Sequence, residues 1–189
     1  MNGREYKNHR YILRRSWIGT GGQINFVMLN PSTADDVVDD PTIRKCVGFA
    51  KRWGYSSLVV TNLFAFRATE PRDLQILLSS SETWDIAKGG PENERVVIDS
   101  AKESALVCCA WGDHGRILWQ ASDLIKRLGK EFDLWCIGLT TAGKPLHPSR
   151  AAYTDAPKRF KEYLRDKTEP LLVGRDTPRE ATLPTEAKP

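Results

Sequence analysis

The stretch Ile24-Asn25-Phe26-Val27-Met28-Leu29-Asn30-Pro31-Ser32-Thr33-Ala34-Asp35 contains a mostly apolar run that ends abruptly in polar residues. Three later apolar runs end in the same way, at Leu58–Val60, Ala105–Ala110 and Leu134–Leu139. Runs that are continuous rather than alternating are typical of parallel strands buried on both faces. The carboxyl ends of parallel strands meet at one edge of a sheet, where ligands bind in open α/β folds. The segments that follow the runs are therefore candidates for a site: Asn30–Asp35, Thr61-Asn62, Trp111–His114 and Pro145–Arg150.

Helical patterns separate these strands. Asp40 is placed to cap a helix whose first position is Pro41, and Gly54 ends that pattern. Further helices are expected over a short segment from Pro71, over about Glu92–Glu103, over Ile117–Leu128 with Gly129 closing it, and over about Asp155–Arg165. The alternation of strands and helices predicts a three-layer α/β/α fold around a central four-stranded, mainly parallel sheet.

The N-terminal part is expected to supply one more strand. Arg10–Ile18 and Gln23–Leu29 are extended segments joined by Gly19-Thr20-Gly21-Gly22, a pattern that favours a β-hairpin. The first segment would add an antiparallel edge strand to the sheet. Residues 1–165 form a single domain in this interpretation, and residues 166–189, rich in Pro, Thr, Glu and Lys, form a disordered tail.

The composition is that of a soluble globular protein. The chain has 189 residues, of which 40% are hydrophobic and 28% charged. No apolar run approaches the ~20 residues that a membrane helix needs. The N-terminal residues lack the apolar core of a signal peptide, so a cytoplasmic location is expected.

Charge and cysteine usage narrow the classes of partner and cofactor. The net charge is +4, with much of the excess before residue 16, which favours either nucleic-acid phosphate or an ordinary solvated surface. The four cysteines form no CxxC pair, so a zinc ribbon or a thioredoxin motif is not indicated. We expect buried, reduced thiols at all four positions, and neither a metal nor a cofactor: Cys46, Cys108, Cys109 and Cys136.

Three polar side chains at the strand ends have distinct chemistry. Asn30 can hold a water or contact a polar edge of a ligand, although a turn residue before a helix has the same sequence. Asn62 offers a donor and an acceptor, the combination that distinguishes one nucleobase from another. His147 lies between two prolines and can stabilise negative charge; a loop histidine bonded to backbone is the alternative. A nearby acidic cluster offers metal binding, but helix capping and the helix dipole explain much of it: Asp35, Asp36, Asp39 and Asp40.

In this order, the motifs resemble those of the uracil-DNA glycosylase superfamily. Met28-Leu29-Asn30-Pro31 is similar to the first active-site motif of the mismatch-specific branch, and Asp40–Lys45 to the helix start that follows it. Val59–Arg67 is similar to the strand whose terminal Asn reads the base, Cys109–Gly112 to a Leu-Trp-Gly strand end, and His147-Pro148-Ser149 to the leaving-group loop. The resemblance covers about Ile24 to Leu164. The motifs Leu-Asn-Pro-Ser-Thr-Ala and Thr-Asn-Leu-Phe also resemble a bacterial and phage family of the DUF1643 type.

The resemblance implies a uracil-DNA glycosylase-like fold and an enzyme that hydrolyses the N-glycosidic bond of uracil or a modified pyrimidine. Its partner would be single- or double-stranded DNA, with no metal and no cofactor. Asn30 would position water, with Asp35 contributing a base, and His147 would favour negative charge on the departing base. The base would be bound by Asn62, Pro31, Ser32 and Phe64. The DNA would be contacted by Arg44, Arg67, Ser149 and Arg150.

Two departures from the superfamily pattern leave alternatives open. Ser32 replaces a glycine that lets a flipped base approach the backbone, and no aromatic residue lies between Ala34 and Pro41 to stack on the base. The cysteines do not match the iron–sulfur branch. The alternatives are a non-catalytic nucleobase- or DNA-binding protein, and an enzyme that acts on free nucleotides or hypermodified phage bases.

Overall fold

A mostly parallel sheet organises the chain. The computed structural model describes residues 8–32, 38–68, 71–114, 117–154 and 156–161. In these residues the sheet has six strands, in the order β1-β3-β2-β4-β5-β6. The strands are β1 Leu13–Ser16, β2 Gln23–Met28, β3 Ser57–Asn62, β4 Leu106–Cys109, β5 Leu134–Cys136 and β6 Lys158–Arg159. The four central strands, β2 to β5, run parallel to one another, while β1 and β6 run antiparallel to them at the two edges.

Helices connect the parallel strands. They are α1 Pro41–Arg52, α2 Pro71–Leu77, α3 Trp84–Lys88, α4 Gly90–Lys102, α5 Ile117–Gln120 and α6 Ser122–Glu131. Two 3-10 turns, Ser81–Thr83 and Pro148–Arg150, lie in the loops. None of the helices in the described ranges is long and apolar enough to cross a membrane.

The helices cover both faces of the sheet, because successive residues of a strand point to opposite faces. In β2, Phe26 and Met28 join a core with Ile43 and Phe49 of α1. Val27 instead joins the core on the other face, which contains the buried residues of α2 to α6. The expected mixed α/β class with helices packed on a mainly parallel sheet is confirmed.

α1 forms as its sequence predicts. Asp40 accepts a hydrogen bond from the Ile43 N–H at 2.8 Å, and Pro41 occupies the first turn, where its missing N–H costs nothing. Its buried residues recur at helical spacing and face β2 and β3: Ile43, Cys46, Phe49 and Ala50. The capping residue therefore fixes the start of α1 beside the carboxyl end of β3.

The predicted hairpin between the first two strands is wrong. β1 pairs with β3, with Leu13 opposite Val60, and not with β2. β2 has β3 on one side and β4 on the other, so neither of its edges is open to β1. The prediction of an antiparallel edge strand from this segment is confirmed.

The C-terminal helix predicted over about Asp155–Arg165 is also wrong where the structure describes it. Lys158–Arg159 is strand β6, and Phe160 is buried against Trp111 with ring centroids 5.8 Å apart. The sheet therefore has a sixth strand, in addition to the four central strands and one edge strand expected. Asp155, residues 162–165 and the predicted tail, 166–189, lie outside the described residues. Gly129 does not close α6 but lies within it, buried.

The four cysteines are free and buried, as predicted. Burial raises the pKa of the Cys136 thiol to about 12, and it raises the pKa of the Cys109 thiol as well. Thiols with such pKa values stay protonated at neutral pH and are poor nucleophiles.

Candidate functional site

A small polar cavity lies at the carboxyl ends of β2 and β3. Its volume is about 40 Å³. Four of the residues proposed from sequence line it: Asn30, Ser32, Asn62 and His147. The rest of the lining comes from β2, β3, the start of α1 and the segment before β1: Met28, Val60, Asp40, Thr42, Ile43 and Arg10. The predicted convergence of strand-end side chains is therefore present for three separate segments of the chain.

Asn62 is the last residue of β3, and its side chain is 1% exposed. Its Nδ2 has no hydrogen-bond partner among the described residues. A buried polar group without a partner costs about 1–3 kcal/mol. A hydrogen-bond acceptor on a ligand, or a water in the cavity, would remove this cost. The Asn62 amide is therefore the group best placed to donate a hydrogen bond to a ligand.

Asn30 uses its amide hydrogens within the protein. Its Nδ2 donates to the Pro31 carbonyl at 3.0 Å and to the Ala68 carbonyl at 2.8 Å. These bonds connect the loop after β2 with the loop after β3. The remaining polar atom of the side chain, Oδ1, is an acceptor and suits the hydrogens of a water molecule. Asn30 thus holds its loop and still offers an acceptor at the cavity.

His147 has a defined tautomer. Its Nδ1 accepts a hydrogen bond from the Ser149 N–H at 3.3 Å and lies 2.7 Å from the Ser149 hydroxyl. The neutral ring therefore carries its hydrogen on Nε2. Burial, helped by the positive charges of His114 and Arg150 and opposed by Asp40, lowers the pKa of His147 to about 4. At neutral pH this residue is an uncharged donor, suited to an oxygen on which negative charge develops.

A second histidine lies beside the first. His114 follows β4, and burial lowers its pKa also. Gly112 brings the two loops together: its φ is +81°, and a β-carbon there would lie 3.2 Å from His114 Nε2 and 3.4 Å from His147 Cβ. The sequence places His114 at the end of a predicted strand without indicating a role for it. Its position after the third apolar run is the feature of the sequence that identifies it as a candidate site residue.

Two charged residues of the lining were given other roles in the sequence analysis. Arg10 belongs to the basic N-terminal stretch of the sequence, yet it is only 8% exposed. Its backbone N–H donates to the Ala65 carbonyl at 2.9 Å. Asp40 was interpreted as a helix cap, which it is, and it also lines the cavity. The hydrophobic periodicity of the sequence does not predict that Arg10 is buried. Arg10 precedes β1, and its backbone bonds to the loop that follows β3.

Other predicted base-binding residues lie elsewhere. Phe64 is fully buried in the core on the face opposite α1, so it does not line the cavity. None of the described lining residues is Phe, Tyr or Trp. Pro31 is buried beside the cavity, where its carbonyl accepts from Asn30 and from the Ala68 N–H. Asp35, the carboxylate proposed to contribute a base, lies outside the described residues.

The predicted DNA contacts are on the surface. Arg44, Arg67 and Arg150 are exposed, and Ser149 is bonded to His147. The backbone N–H of Arg67 donates to the Asn8 carbonyl at 2.8 Å. Arg67 does not line the cavity, whereas Arg150 is close enough to His147 to lower its pKa.

The two described members of the acidic cluster have structural partners. Asp39 forms an ion pair with Arg15 at 2.7 Å, and Asp40 caps α1. Across the described ranges no three His, Cys, Asp or Glu residues are grouped so that they could hold a metal ion.

A larger surface depression, of about 300 Å³, lies along α4. Its lining consists of α4 residues and Arg127, which is ion-paired with Glu94 at 2.6 Å. Exposed ion pairs of this kind are ordinary solvated surface. The cavity at the strand ends is smaller but contains the buried amide without a partner, and it is therefore the candidate site.

The chain matches a family model. No curated protein and no solved structure matches the chain. The family described as "Protein of unknown function (DUF1643)" matches residues 10–149. This range begins at Arg10 and includes His147, so it contains every described residue that lines the cavity. The chain therefore belongs to the DUF1643 family.

Proposed function

We propose that this chain is a DNA glycosylase-like enzyme that recognises uracil or a modified pyrimidine and hydrolyses its N-glycosidic bond. The observation that carries the proposal is the buried, unpaired amide of Asn62 in a cavity that also contains Asn30 and neutral His147. The order of the motifs, which resembles that of the uracil-DNA glycosylase superfamily, supports the same activity.

In the proposed mechanism, the target nucleotide leaves the base stack and places its base at the strand ends. Asn62 donates from Nδ2 to a ring carbonyl and accepts from a ring N–H through Oδ1. The bond between the sugar carbon and the base nitrogen breaks, and its electron pair leaves with the base. The Nε2–H of His147 stabilises the negative charge on a base oxygen.

Water completes the proposed reaction. Asn30 Oδ1 accepts a hydrogen bond from the water, which attacks the electron-poor sugar carbon and gives its proton to a carboxylate. Asp40 is the described carboxylate on the cavity, and Asp35 stays a proposal from the sequence. Because an Asn cannot take a proton as a carboxylate does, the reaction would be slow without one of these groups.

A second candidate function, nucleobase or DNA binding without cleavage, is favoured by the dimensions and lining of the cavity. Ligand pockets have typical volumes of about 300–1,000 Å³, whereas this cavity has about 40 Å³. Its described lining contains no Phe, Tyr or Trp ring for stacking, and Asp40 is already bonded as a cap. Entry of a whole base therefore requires the lining to open.

A base-release assay decides between the two functions. Single- and double-stranded oligonucleotides with uracil or several modified pyrimidines are incubated with the chain, and abasic sites are detected by alkaline cleavage. The enzyme is expected to release one of these bases, and Asn62→Ala to abolish release, while the exposed control Gln75→Ala keeps it. Free nucleotides are assayed in parallel. No release by folded protein would reject the glycosylase; oligonucleotide binding that persists and depends on Asn62 would establish the second function.

A further inference from the structure

Helix α1 has an unusual charge distribution. Its twelve residues include four cations and no carboxylate, and it begins at the cavity through Thr42 and Ile43. The other long helices carry carboxylates beside their cations, and several of these are paired: Arg95 with Glu92, Lys102 with Asp99, and Arg127 with Glu94 and Glu131. Five cations on or beside α1 form no ion pair with any described residue. Lys51 lies over the Trp17 ring, 5.3 Å from its centroid. We call the other four the α1 cation row: Arg44, Lys45, Arg52 and Arg150.

A tyrosine orders two of these cations. Lys45 Nζ lies 4.4 Å, and the Arg52 guanidinium 4.5 Å, from the ring centroid of Tyr153. The ring packs on Phe49 at 4.8 Å and directly over Gly48, where a β-carbon would collide with it. Lys45 and Arg52 are seven residues apart, which is about two turns of a helix, so both lie on the same face of α1 and their charged ends converge on the ring. Two charges are thus held at a defined spacing on one ring.

The row connects with the cavity. Lys45 Nζ donates to the Ala151 carbonyl at 2.9 Å, and Ala151 directly follows Arg150. The Trp53 indole donates to the Thr154 carbonyl at 2.9 Å, so the segment from Arg150 to Thr154 is fixed along α1. Arg150 lies next to His147, because its backbone N–H donates to the His147 carbonyl at 3.0 Å. The positive surface therefore extends from the mouth of the cavity to the end of α1.

The first two cations make local hydrogen bonds, but these leave their charges without a described carboxylate: Arg44 donates to the Asp39 carbonyl and Lys45 to the Ala151 carbonyl. Positive charges near a helix N-terminus oppose the helix dipole, at a cost of about 0.3–1 kcal/mol each. The nearby carboxylates have other partners, since Asp39 pairs with Arg15 and Asp40 caps α1. Arg44 and Lys45 therefore keep a positive charge that no described carboxylate neutralises.

We propose that the α1 cation row, with Lys45 and Arg52 set on Tyr153, binds the phosphodiester backbone of DNA whose target nucleotide enters the cavity. The proposal rests on the proposed function in taking DNA as the polyanion. Because Lys45 Nζ and the Arg52 guanidinium both lie within 4.5 Å of one ring centroid, the two charges are close enough together to face phosphates of neighbouring nucleotides on one strand. In this arrangement Tyr153 does not have to stack on a base. Its ring positions the two cations, and the cations contact phosphate.

The test measures binding of fluorescein-labelled single- and double-stranded 20-mers by anisotropy at several NaCl concentrations. We expect Lys45→Gln/Arg52→Gln to weaken binding about tenfold near 0.1 M salt. The plot of log K against log salt should become shallower by about 1.8 for duplex or about 1.4 for single strands, since two phosphate contacts are lost. The matched control is Lys126→Gln/Lys130→Gln, which removes two exposed charges of α6 on the other face and should change binding less than twofold.

Two further variants separate charge from folding. Lys45→Arg/Arg52→Lys keeps both charges and should bind as the wild type does. Arg44→Gln/Arg150→Gln leaves Tyr153 untouched and should reproduce the loss, with an unchanged melting temperature.

The outcomes distinguish this proposal from the proposed function. Binding that depends on α1 without base release rejects only the glycosylase. Base release and binding that are unchanged in both α1 variants reject only the α1 surface. A wild-type chain that binds neither oligonucleotide also overturns the α1 surface.

Discussion

The side chain of Asn93 donates hydrogen bonds to the main-chain carbonyl of Asn62 at 3.0 Å and to that of Leu63 at 3.3 Å. Asn93 is 2% exposed and lies in α4, on the face of the sheet opposite α1. The Asn62 side chain lines the cavity on the α1 face. A residue behind the sheet therefore fixes the backbone from which the candidate recognition group projects.

Replacement of Asn93 is expected to affect both stability and binding. Asn93→Ala leaves two buried carbonyls with weaker hydrogen bonding, so the free energy of unfolding should fall by about 1–3 kcal/mol. Urea denaturation measures this change. The neighbouring control Glu94→Gln breaks only an exposed ion pair and should cost less than about 1 kcal/mol. Equal stability of Asn93→Ala and wild type would show that Asn93 does not hold the strand end.

Parts of this site are visible in the sequence because strand ends follow from apolar runs. Asn30, Asn62 and His147 were found in that way, since each follows a continuous buried strand. Asn93 was not, because a polar residue in a helix has no feature that distinguishes a buried position from a solvated one. Its burial depends on how α4 packs against β3.

The errors in the fold have a similar origin. The Gly19–Gly22 loop favours a hairpin locally, and the pairing of β1 with β3 depends on β4 occupying the other edge of β2. β6 contains two basic residues, Lys158 and Arg159, which have no strand signal of their own. The hydrophobic periodicity of a segment predicts whether that segment forms a strand. It does not predict which strand it pairs with, because pairing depends on the arrangement of the whole sheet.

Substitution of Asn62 separates a binding role from a structural one. The Nδ2 of Asn62 is buried without a partner, so an apolar residue of similar size should relieve a cost of about 1–3 kcal/mol. Asn62→Leu is therefore expected to keep or raise the free energy of unfolding and to weaken nucleobase binding about tenfold or more, since one hydrogen bond to a ligand is worth about 1.4 kcal/mol or more. Denaturation and equilibrium binding measure the two effects. A loss of stability above about 2 kcal/mol would instead assign Asn62 a structural role.

The lowered pKa of His147 predicts a pH dependence of stability. The folded-state pKa is about 4, below the value of about 6.5 for an unfolded chain. The unfolded state therefore binds the proton first, and stability should fall as pH decreases from about 6.5 to about 4, by on the order of 3 kcal/mol at most. His114, whose pKa is also lowered by burial, acts in the same direction.

Urea denaturation between pH 4.5 and 7.5 tests this dependence. His147→Gln should keep only the smaller fall due to His114 and other groups. An identical fall in wild type and His147→Gln would show that His147 does not resist protonation in the folded protein.

Gly48 offers a test of the packing that orders the α1 cation row. Within an exposed helix, Gly→Ala usually stabilises by about 1 kcal/mol. At Gly48, however, the added β-carbon would collide with the Tyr153 ring, so Gly48→Ala should lower the melting temperature or displace the ring. In a Tyr153→Ala background the same change should stabilise, because the ring is absent. The four proteins of this double-mutant cycle are compared by thermal unfolding and by oligonucleotide anisotropy. Stabilisation in both backgrounds, with unchanged DNA binding, would show that Tyr153 does not pack on Gly48 in solution and does not set the positions of Lys45 and Arg52.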